Sequence, residues 1–368
     1  MIIILTQCYP PRVGGIENLV FNLSYHLSKF EKVVVLADQH NPISEIIFDK
    51  RFTQNLIIKR FGGFKFFRKR NKVRELKNII KLKKVTAIIG DSWKSLEIAI
   101  QKIDNKKTPF LSLVHGNEII IKNQKHHKRL LNTFSKVEKI ICNSQFTKDL
   151  LKKINIKFNE VAVIHPGVQD FDTVTEERVD EIIGSPVLLT LARLEKRKGH
   201  ELILRTISNL KKKFPNICYV IAGEGQEKKK LETTVKRLNI SKNVIFVGSI
   251  NDKQKKYIFK KTDIMVMPTL DETKQFSVEG FGISYIEAAM FAIPSIASDV
   301  GGTKEAVIHN ETGIIIKNSE QLEKNISELL ENKNRIKELG QKAKIRAQNE
   351  LSWDNVIREY KNLIHDLS

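Results

Sequence analysis

Residues 277–289 read Ser-Val-Glu-Gly-Phe-Gly-Ile-Ser-Tyr-Ile-Glu-Ala-Ala. The apolar run 264–267 upstream has the length of one strand, and the apolar spacing from Ile283 predicts a helix near 283–291. Strand, glycine turn and helix make one step of an α/β sheet. Gly280 and Gly282 let the backbone approach a ligand, and the helix N-terminus beside them favours an anion. Glu279 precedes the glycines and Glu287 follows eight positions later. Ionised carboxylates only accept hydrogen bonds, which suits sugar or ribose hydroxyls.

The same rhythm runs through the chain in both directions. Short apolar runs predict strands at 2–5, 33–36, 57–58, 85–89, 110–114, 139–142 and 161–164, and again at 187–191, 217–222, 244–247, 264–267 and 295–297. Runs without alternation suit parallel strands covered on both faces. Helices are expected near 199–213, 226–238, 252–261, 283–291 and 302–309, with two more over 319–349 and a last one near 353–366. The expectation is an α/β protein of two doubly wound, Rossmann-like domains facing across a cleft. The boundaries read as 1–168, an acidic linker over 169–186, 187–350, and a C-terminal helix over 351–368 that returns to the first domain. In such sheets ligands bind beyond the carboxyl ends of the strands.

The chain has 368 residues, 41% of them hydrophobic, enough for two domains with real cores. It has no run of about 18 apolar residues that would span a membrane. The opening Met1–Leu5 reads as a strand, since it lacks a basic stretch and a cleavage site. Cys8, Cys142 and Cys218 are scattered and read as reduced thiols, which points to a soluble cytosolic protein.

Net charge is +21, of which residues 1–170 carry +17. Segment 59–84 alone holds twelve basic residues and one acidic, with Phe61, Phe64, Phe66 and Phe67 interleaved. Arg68, Lys69, Arg70 and Lys72 form its centre. Such a segment attracts polyanions, and the phenylalanines favour an anionic membrane surface, where each Lys or Arg adds about 1 kcal/mol.

Several motifs fail. Gly223-Glu-Gly225 lacks the third glycine of a dinucleotide fingerprint, because Lys228 stands there. No phosphate-binding P-loop and no zinc spacing occur. His126-His127 reads as a surface pair, and Asp170-Phe-Asp172 lies in the linker without a role.

Others survive. Arg193 and Lys198 are five apart on a loop that follows the strand 187–191 and opens a helix. Cations at a strand's carboxyl end hold a diphosphate and stabilise it as a leaving group. Gly14-Gly15 joins the first strand to the first helix, and His115 directly follows the strand 110–114.

Taken in order, these motifs resemble the retaining glycosyltransferases of family 4, which have the GT-B fold. Gly223, the turn at Gly248 and Ile250, and Gly301-Gly302 resemble further family features, as does Trp353 at the start of the last helix. The stretch 277–306 is particularly similar to phosphatidylinositol mannosyltransferases and related bacterial enzymes. The resemblance implies transfer of a hexose, of mannose or glucose type, from a nucleotide diphosphate sugar to an acceptor hydroxyl with retention. It implies catalytic roles for His115 and Glu279. It implies donor binding by Gly14, Gly15, Arg193, Lys198, Gly223, Gly248, Ile250, Gly280, Phe281, Gly282, Ile283 and Glu287. No metal and no cofactor are expected, because the cations neutralise the departing diphosphate.

The acceptor is expected to be lipid-linked or a glycan, in lipopolysaccharide, capsule or other surface-glycan assembly. The patch at Arg68, Lys69, Arg70 and Lys72 is expected to place the protein on the inner face of the cytoplasmic membrane. Two other classes account for part of the sequence. A GT-B nucleotide-sugar epimerase would use the donor without an acceptor. A nucleic-acid-binding protein would explain the charge but leave Glu279, Glu287 and His115 without use.

Overall fold

The computed structural model describes residues 1–52, 55–103, 108–154, 159–179 and 182–367. The chain divides into two compact units, Met1–Gly167 with Trp353–Ser368, and Val168–Ser352.

The first unit holds seven parallel strands: β1 (Ile2–Leu5), β2 (Val33–Asp38), β3 (Leu56–Phe61), β4 (Ala87–Gly90), β5 (Phe110–Val114), β6 (Lys139–Cys142) and β7 (Val161–Val163). Their order is β3-β2-β1-β4-β5-β6-β7, so the winding reverses between β1 and β4. All four residues of β1 are buried, as its Ile-Ile-Ile-Leu sequence requires of a central strand. Leu76, Trp93, Leu96, Phe110 and Phe134 fill one side of the sheet. Truncating a buried leucine such as Leu76 to Ala costs about 2–5 kcal/mol.

The second unit repeats the plan with six parallel strands: β8 (Val187–Leu191), β9 (Cys218–Ala222), β10 (Val244–Gly248), β11 (Ile264–Met267), β12 (Ser295–Ser298) and β13 (Gly313–Ile316). The order β10-β9-β8-β11-β12-β13 places the reversal between β8 and β11. Two buried clusters, one on each face, cover this sheet. Strand β13 was not expected. Its four residues begin with a glycine, and pairing with β12 secures them.

Residues 169–179 do not form a free linker. Phe171 is buried, and Val174 and Val179 pack against the core of the second unit. Lys256 Nζ donates to the Phe171 carbonyl at 2.8 Å, and Lys260 meets the Glu176 carboxylate at 2.5 Å. The acidic segment therefore lies along the lysine-rich helix Asp252–Lys261. Asp180 and Glu181 of the expected linker lie outside the described residues.

The C-terminal helix Trp353–His365 joins the first unit. It packs on the helix Gly15–Ser28, where Trp353 stacks on His26 with ring centres 5.5 Å apart. His126 and His127 are not a surface pair. The His126 ring packs edge-on against buried Trp93, and both of its nitrogens are covered without a partner.

Candidate functional site

In the second unit the chain leaves β8 at Leu191 and turns through 192–195 into a short helical turn, Lys196–Lys198, before the helix His200–Leu210. Arg197 and Lys198 are thereby buried beside the reversal of strand order. Glu279, on the loop after β11, meets both: its Oε2 accepts from Lys198 Nζ at 2.5 Å and from Arg197 Nη1 at 2.6 Å. Burial alone would raise the Glu279 carboxyl, but the Lys198 ammonium and the Arg197 guanidinium outweigh it and hold it down to about 2. Burial, aided by the Arg197 charge, lowers Lys198 despite its carboxylate partner. Two buried cations thus converge on the Glu279 carboxylate.

Arg193 lies outside this trio. It is exposed and pairs with Glu195 at 2.6 Å. Glu195 stands 3.8 Å from Arg197 Nη2, so Arg193 connects to Glu279 only through a chain of ion pairs. Sequence reading missed Arg197. It directly precedes Lys198, and its burial was the signal that no spacing rule carries.

Glu287 is buried in the helix Ile283–Ala289. Lys255, from the helix Asp252–Lys261, donates to its Oε1 at 2.8 Å and lies 3.2 Å from Asp252. Burial favours a neutral Lys255, but the carboxylates of Glu287 and Asp252 outweigh it and raise its pKa. Tyr285 anchors the same helix by donating to the Met267 carbonyl at 2.7 Å.

The glycines hold the loops in register. Gly301 has φ 64°, and a Cβ there would stand 2.2 Å from the Glu279 carbonyl oxygen. Gly302 N–H donates to that same carbonyl at 2.9 Å, so this turn fixes the backbone of the catalytic candidate. Gly223 has φ 141°, and a Cβ there would stand 2.0 Å from the Ala192 carbonyl oxygen. Its N–H donates to the Gly248 carbonyl at 2.7 Å. Gly280 and Phe281 are buried between Glu279 and the helix, Gly282 caps that helix and Ile283 begins it. Ile250 is half-buried against the core.

In the first unit Gly14 precedes the helix Gly15–Ser28, which Gly15 opens. His115 follows β5 directly. Its Nε2 lies 2.8 Å from the Asp91 carbonyl, which can only accept, so Nε2 donates. Its backbone N–H donates to Glu118 Oε1 at 2.5 Å. Asp91, at the end of β4, accepts from Thr6 Oγ1 at 2.7 Å and Ser95 Oγ at 2.5 Å.

The expected basic patch is partly internal. Lys72 is buried, lies 2.5 Å from Asp38 and donates to the Thr6 carbonyl at 2.8 Å. Asp38 also pairs with Arg68 at 2.9 Å. Helix Lys65–Leu82 turns this face to the sheet, which removes Lys72 from any surface patch. Lys69 is half-buried. Arg70 is exposed and lies 3.9 Å over the Phe66 ring. Among the described residues, no group of three or more His, Cys, Asp or Glu side chains is placed to hold a metal ion. Among them too, no helix is long and apolar enough to cross a membrane.

Two doubly wound parallel units, with paired cations and glutamates at the carboxyl ends of the second sheet, define a GT-B glycosyltransferase. The chain belongs to the glycosyltransferases: the profile described as Glycosyltransferase Family 4 matches residues 13–170, and that described as Glycosyl transferases group 1 matches residues 174–346. An uncharacterized glycosyltransferase of Methanocaldococcus jannaschii is 25% identical over 277 residues, covering 70% of this chain and 69% of that one. The GDP-mannose-dependent monoacylated alpha-(1-6)-phosphatidylinositol monomannoside mannosyltransferase of Corynebacterium glutamicum is 22% identical, covering 98% of this chain and 97% of that one. Among solved structures, Anabaena HepE in complex with UDP and glucose superposes with TM-score 0.80 at 15% identity, covering all of both chains. Sucrose-phosphate synthase from Thermosynechococcus elongatus also reaches 0.80, at 18% identity, covering 100% of this chain and 98% of that one.

Proposed function

We propose that this glycosyltransferase moves a hexose from a nucleotide diphosphate sugar to an acceptor hydroxyl with retention at the anomeric carbon. The observation that carries the reading is the clamping of Glu279 by Lys198 and Arg197 beside the reversal of the second sheet. Lys198 and Arg193 would neutralise the departing diphosphate, aided by backbone N–H groups over 280–283. Glu279 would bind the sugar hydroxyls and Glu287 the ribose hydroxyls. His115, held by the Asp91 carbonyl, would serve the transfer step from the first unit. Side-chain cations take the place of a bound metal, so activity is expected to persist in EDTA.

Thermal denaturation with GDP-mannose, UDP-glucose, UDP-N-acetylglucosamine, UDP-galactose and ADP-glucose tests the reading. A ligand at 100 times its Kd adds about 2.7 kcal/mol of stability. A shift with one donor, lost in Glu287→Ala, is the expected result. No shift with any of the five, in folded protein, would refute it. The similarity to a GDP-mannose-dependent enzyme makes GDP-mannose the first donor to try, and the HepE complex makes UDP-glucose the second.

The acceptor in this reading is lipid-linked and serves surface-glycan assembly, with the protein resting on an anionic membrane surface at the cytoplasmic side. Exposed Phe64, Phe66 and Phe67 stand beside Lys65 and Arg70 at the start of helix Lys65–Leu82. The helix Pro42–Asp49, which follows the neighbouring strand, exposes Ile43, Ile46 and Ile47 at helical spacing. Apolar side chains among cations suit an interface of anionic headgroups. Sedimentation with anionic and neutral vesicles tests it; equal binding to both would remove the proposal.

A further inference from the structure

The reversal of strand order in the first sheet, between β1 and β4, is the place where a doubly wound unit receives a ligand. A pocket opens there, and Gln7, Lys69, Lys72, Lys94 and Ser95 provide its polar lining. Lys72 is already satisfied by Asp38 and the Thr6 carbonyl. Lys69 donates to the Lys94 carbonyl at 3.3 Å and shares its carboxylate, Glu97, with Arg129. Glu97 gives both oxygens to Arg129, at 2.5 and 2.7 Å, and lies 3.6 Å from Lys69. Lys94 has no carboxylate within ion-pair distance among the described residues, and its ammonium lies 5.7 Å over the Trp93 ring.

The surroundings are cationic. Lys65 and Arg129 act on both lysines and Lys122 acts on Lys94, while Glu97 and Glu118 are the carboxylates that oppose them. Burial lowers the proton affinity of Lys69 and Lys94, and one carboxylate apiece does not restore it. The nearby Asp91 carboxylate is spent internally: Oδ2 accepts from Thr6 Oγ1 and Gln7 N, and Oδ1 from Ser92 Oγ and Ser95 Oγ. Gln7 Nε2 donates to Ser95 Oγ at 3.2 Å and keeps a second N–H for a ligand.

We infer that this pocket binds a phosphate group carried by the acceptor, with Lys69, Lys94 and the Gln7 amide as its donors. Two half-buried ammonium groups, Lys94 with no carboxylate in ion-pair range among the described residues and Lys69 sharing Glu97 with Arg129, suit a compact anion, and a phosphate oxygen accepts from each donor. The pocket also adjoins the reacting end of the unit, because the Asp91 that fixes Ser95 holds His115 through its own carbonyl. A phosphate seated here would tether the acceptor beside His115. This assignment to an acceptor rests on the glycosyltransferase reading of the preceding section.

Calorimetric titration of the full chain with glycerol 3-phosphate and with inorganic phosphate, in wild type and in Lys69→Met/Lys94→Met, tests the inference. The double variant is expected to bind glycerol 3-phosphate at least tenfold more weakly while its thermal shift with the donor nucleotide is unchanged. Unchanged phosphate affinity in the folded variant would overturn the pocket. Lys94→Gln keeps a polar side chain and gives the same comparison if the double variant does not fold. Tighter binding of the ester than of inorganic phosphate supports an acceptor phosphate, and the reverse order overturns that in favour of free phosphate. Pocket-dependent binding in a protein that responds to no nucleotide would keep the phosphate site and overturn its assignment to an acceptor.

Discussion

Lys255 Nζ and Glu287 Oε1 stand 2.8 Å apart, although 32 positions separate the two residues and each lies on its own helix. Glu287 is buried, Lys255 is largely so, and Asp252 shares the cation. Lys255 thereby fixes the orientation of the carboxylate proposed to hold the donor's ribose. Lys255→Met would leave Glu287 buried without its cation, a loss of about 3–5 kcal/mol. Chemical denaturation should show that loss. Lys255→Arg should recover most of it together with the donor KM. A Lys255→Met protein as stable as wild type would show that the pair is not a structural requirement.

Glu279 predicts an acid-dependent loss of stability. Its folded carboxyl is held at about 2, below its ordinary 4.5. The unfolded chain therefore binds more protons between those values, and the stabilisation present at neutral pH is lost as pH falls from 4.5 toward 2. Urea titrations across that range should show a shallower pH dependence for Glu279→Gln than for wild type. At pH 7 the variant should be less stable by about 3–5 kcal/mol, since Arg197 and Lys198 would lose their shared partner. Parallel pH profiles for the two proteins would contradict the ion-pair account.

His26 carries the opposite chemistry to the same sign of pH dependence. Burial, and then the charge of Lys29, lower it to about 4, with Asp354 opposing. Only the unfolded chain protonates this ring between pH 6.5 and 4, so stability falls as pH falls through that window. His26→Phe preserves an aromatic face for Trp353 and removes the titration. Its stability should be flatter than wild type over pH 4–6.5, as read by thermal denaturation.

Two cations close in sequence should behave differently. Arg70 is exposed over Phe66, so Arg70→Gln should change stability by no more than about 0.5 kcal/mol while reducing sedimentation with anionic vesicles several-fold when combined with Phe66→Ser and Phe67→Ser. Lys72 is buried against Asp38, so Lys72→Met should cost about 3–5 kcal/mol and leave vesicle binding of the remaining folded protein unchanged. A surface role for Lys72 would reverse this pattern.

The strands were legible because most central ones are apolar runs, as in β1, β9 and β11, which suits a buried parallel strand. Strand β13 was missed because four residues opening on glycine carry little such signal. The spacing of Glu279 and Glu287, and of Arg193 and Lys198, pointed to the loops after β11 and β8. It did not show which cation turns inward: Arg197 is buried on Glu279, whereas Arg193 remains outside on Glu195. Lys255 was invisible for the same reason, since a lysine among lysines on an amphipathic helix looks solvated until its neighbour is known. Lys72 shows the converse, because charge density alone does not distinguish a membrane patch from an internal pair.

The first unit is finished by residues from both ends of the chain, for the helix Trp353–His365 closes on Gly15–Ser28 only after all of Val168–Ser352 has intervened. On a ribosome, the half that emerges first is therefore the half completed last, and it must wait for the second unit to be made before His26 finds Trp353. The second unit, continuous in sequence, can settle while its partner is still unfinished. Emergence of the helix Trp353–His365 from the translating ribosome is thus the step that lets the first unit complete its fold.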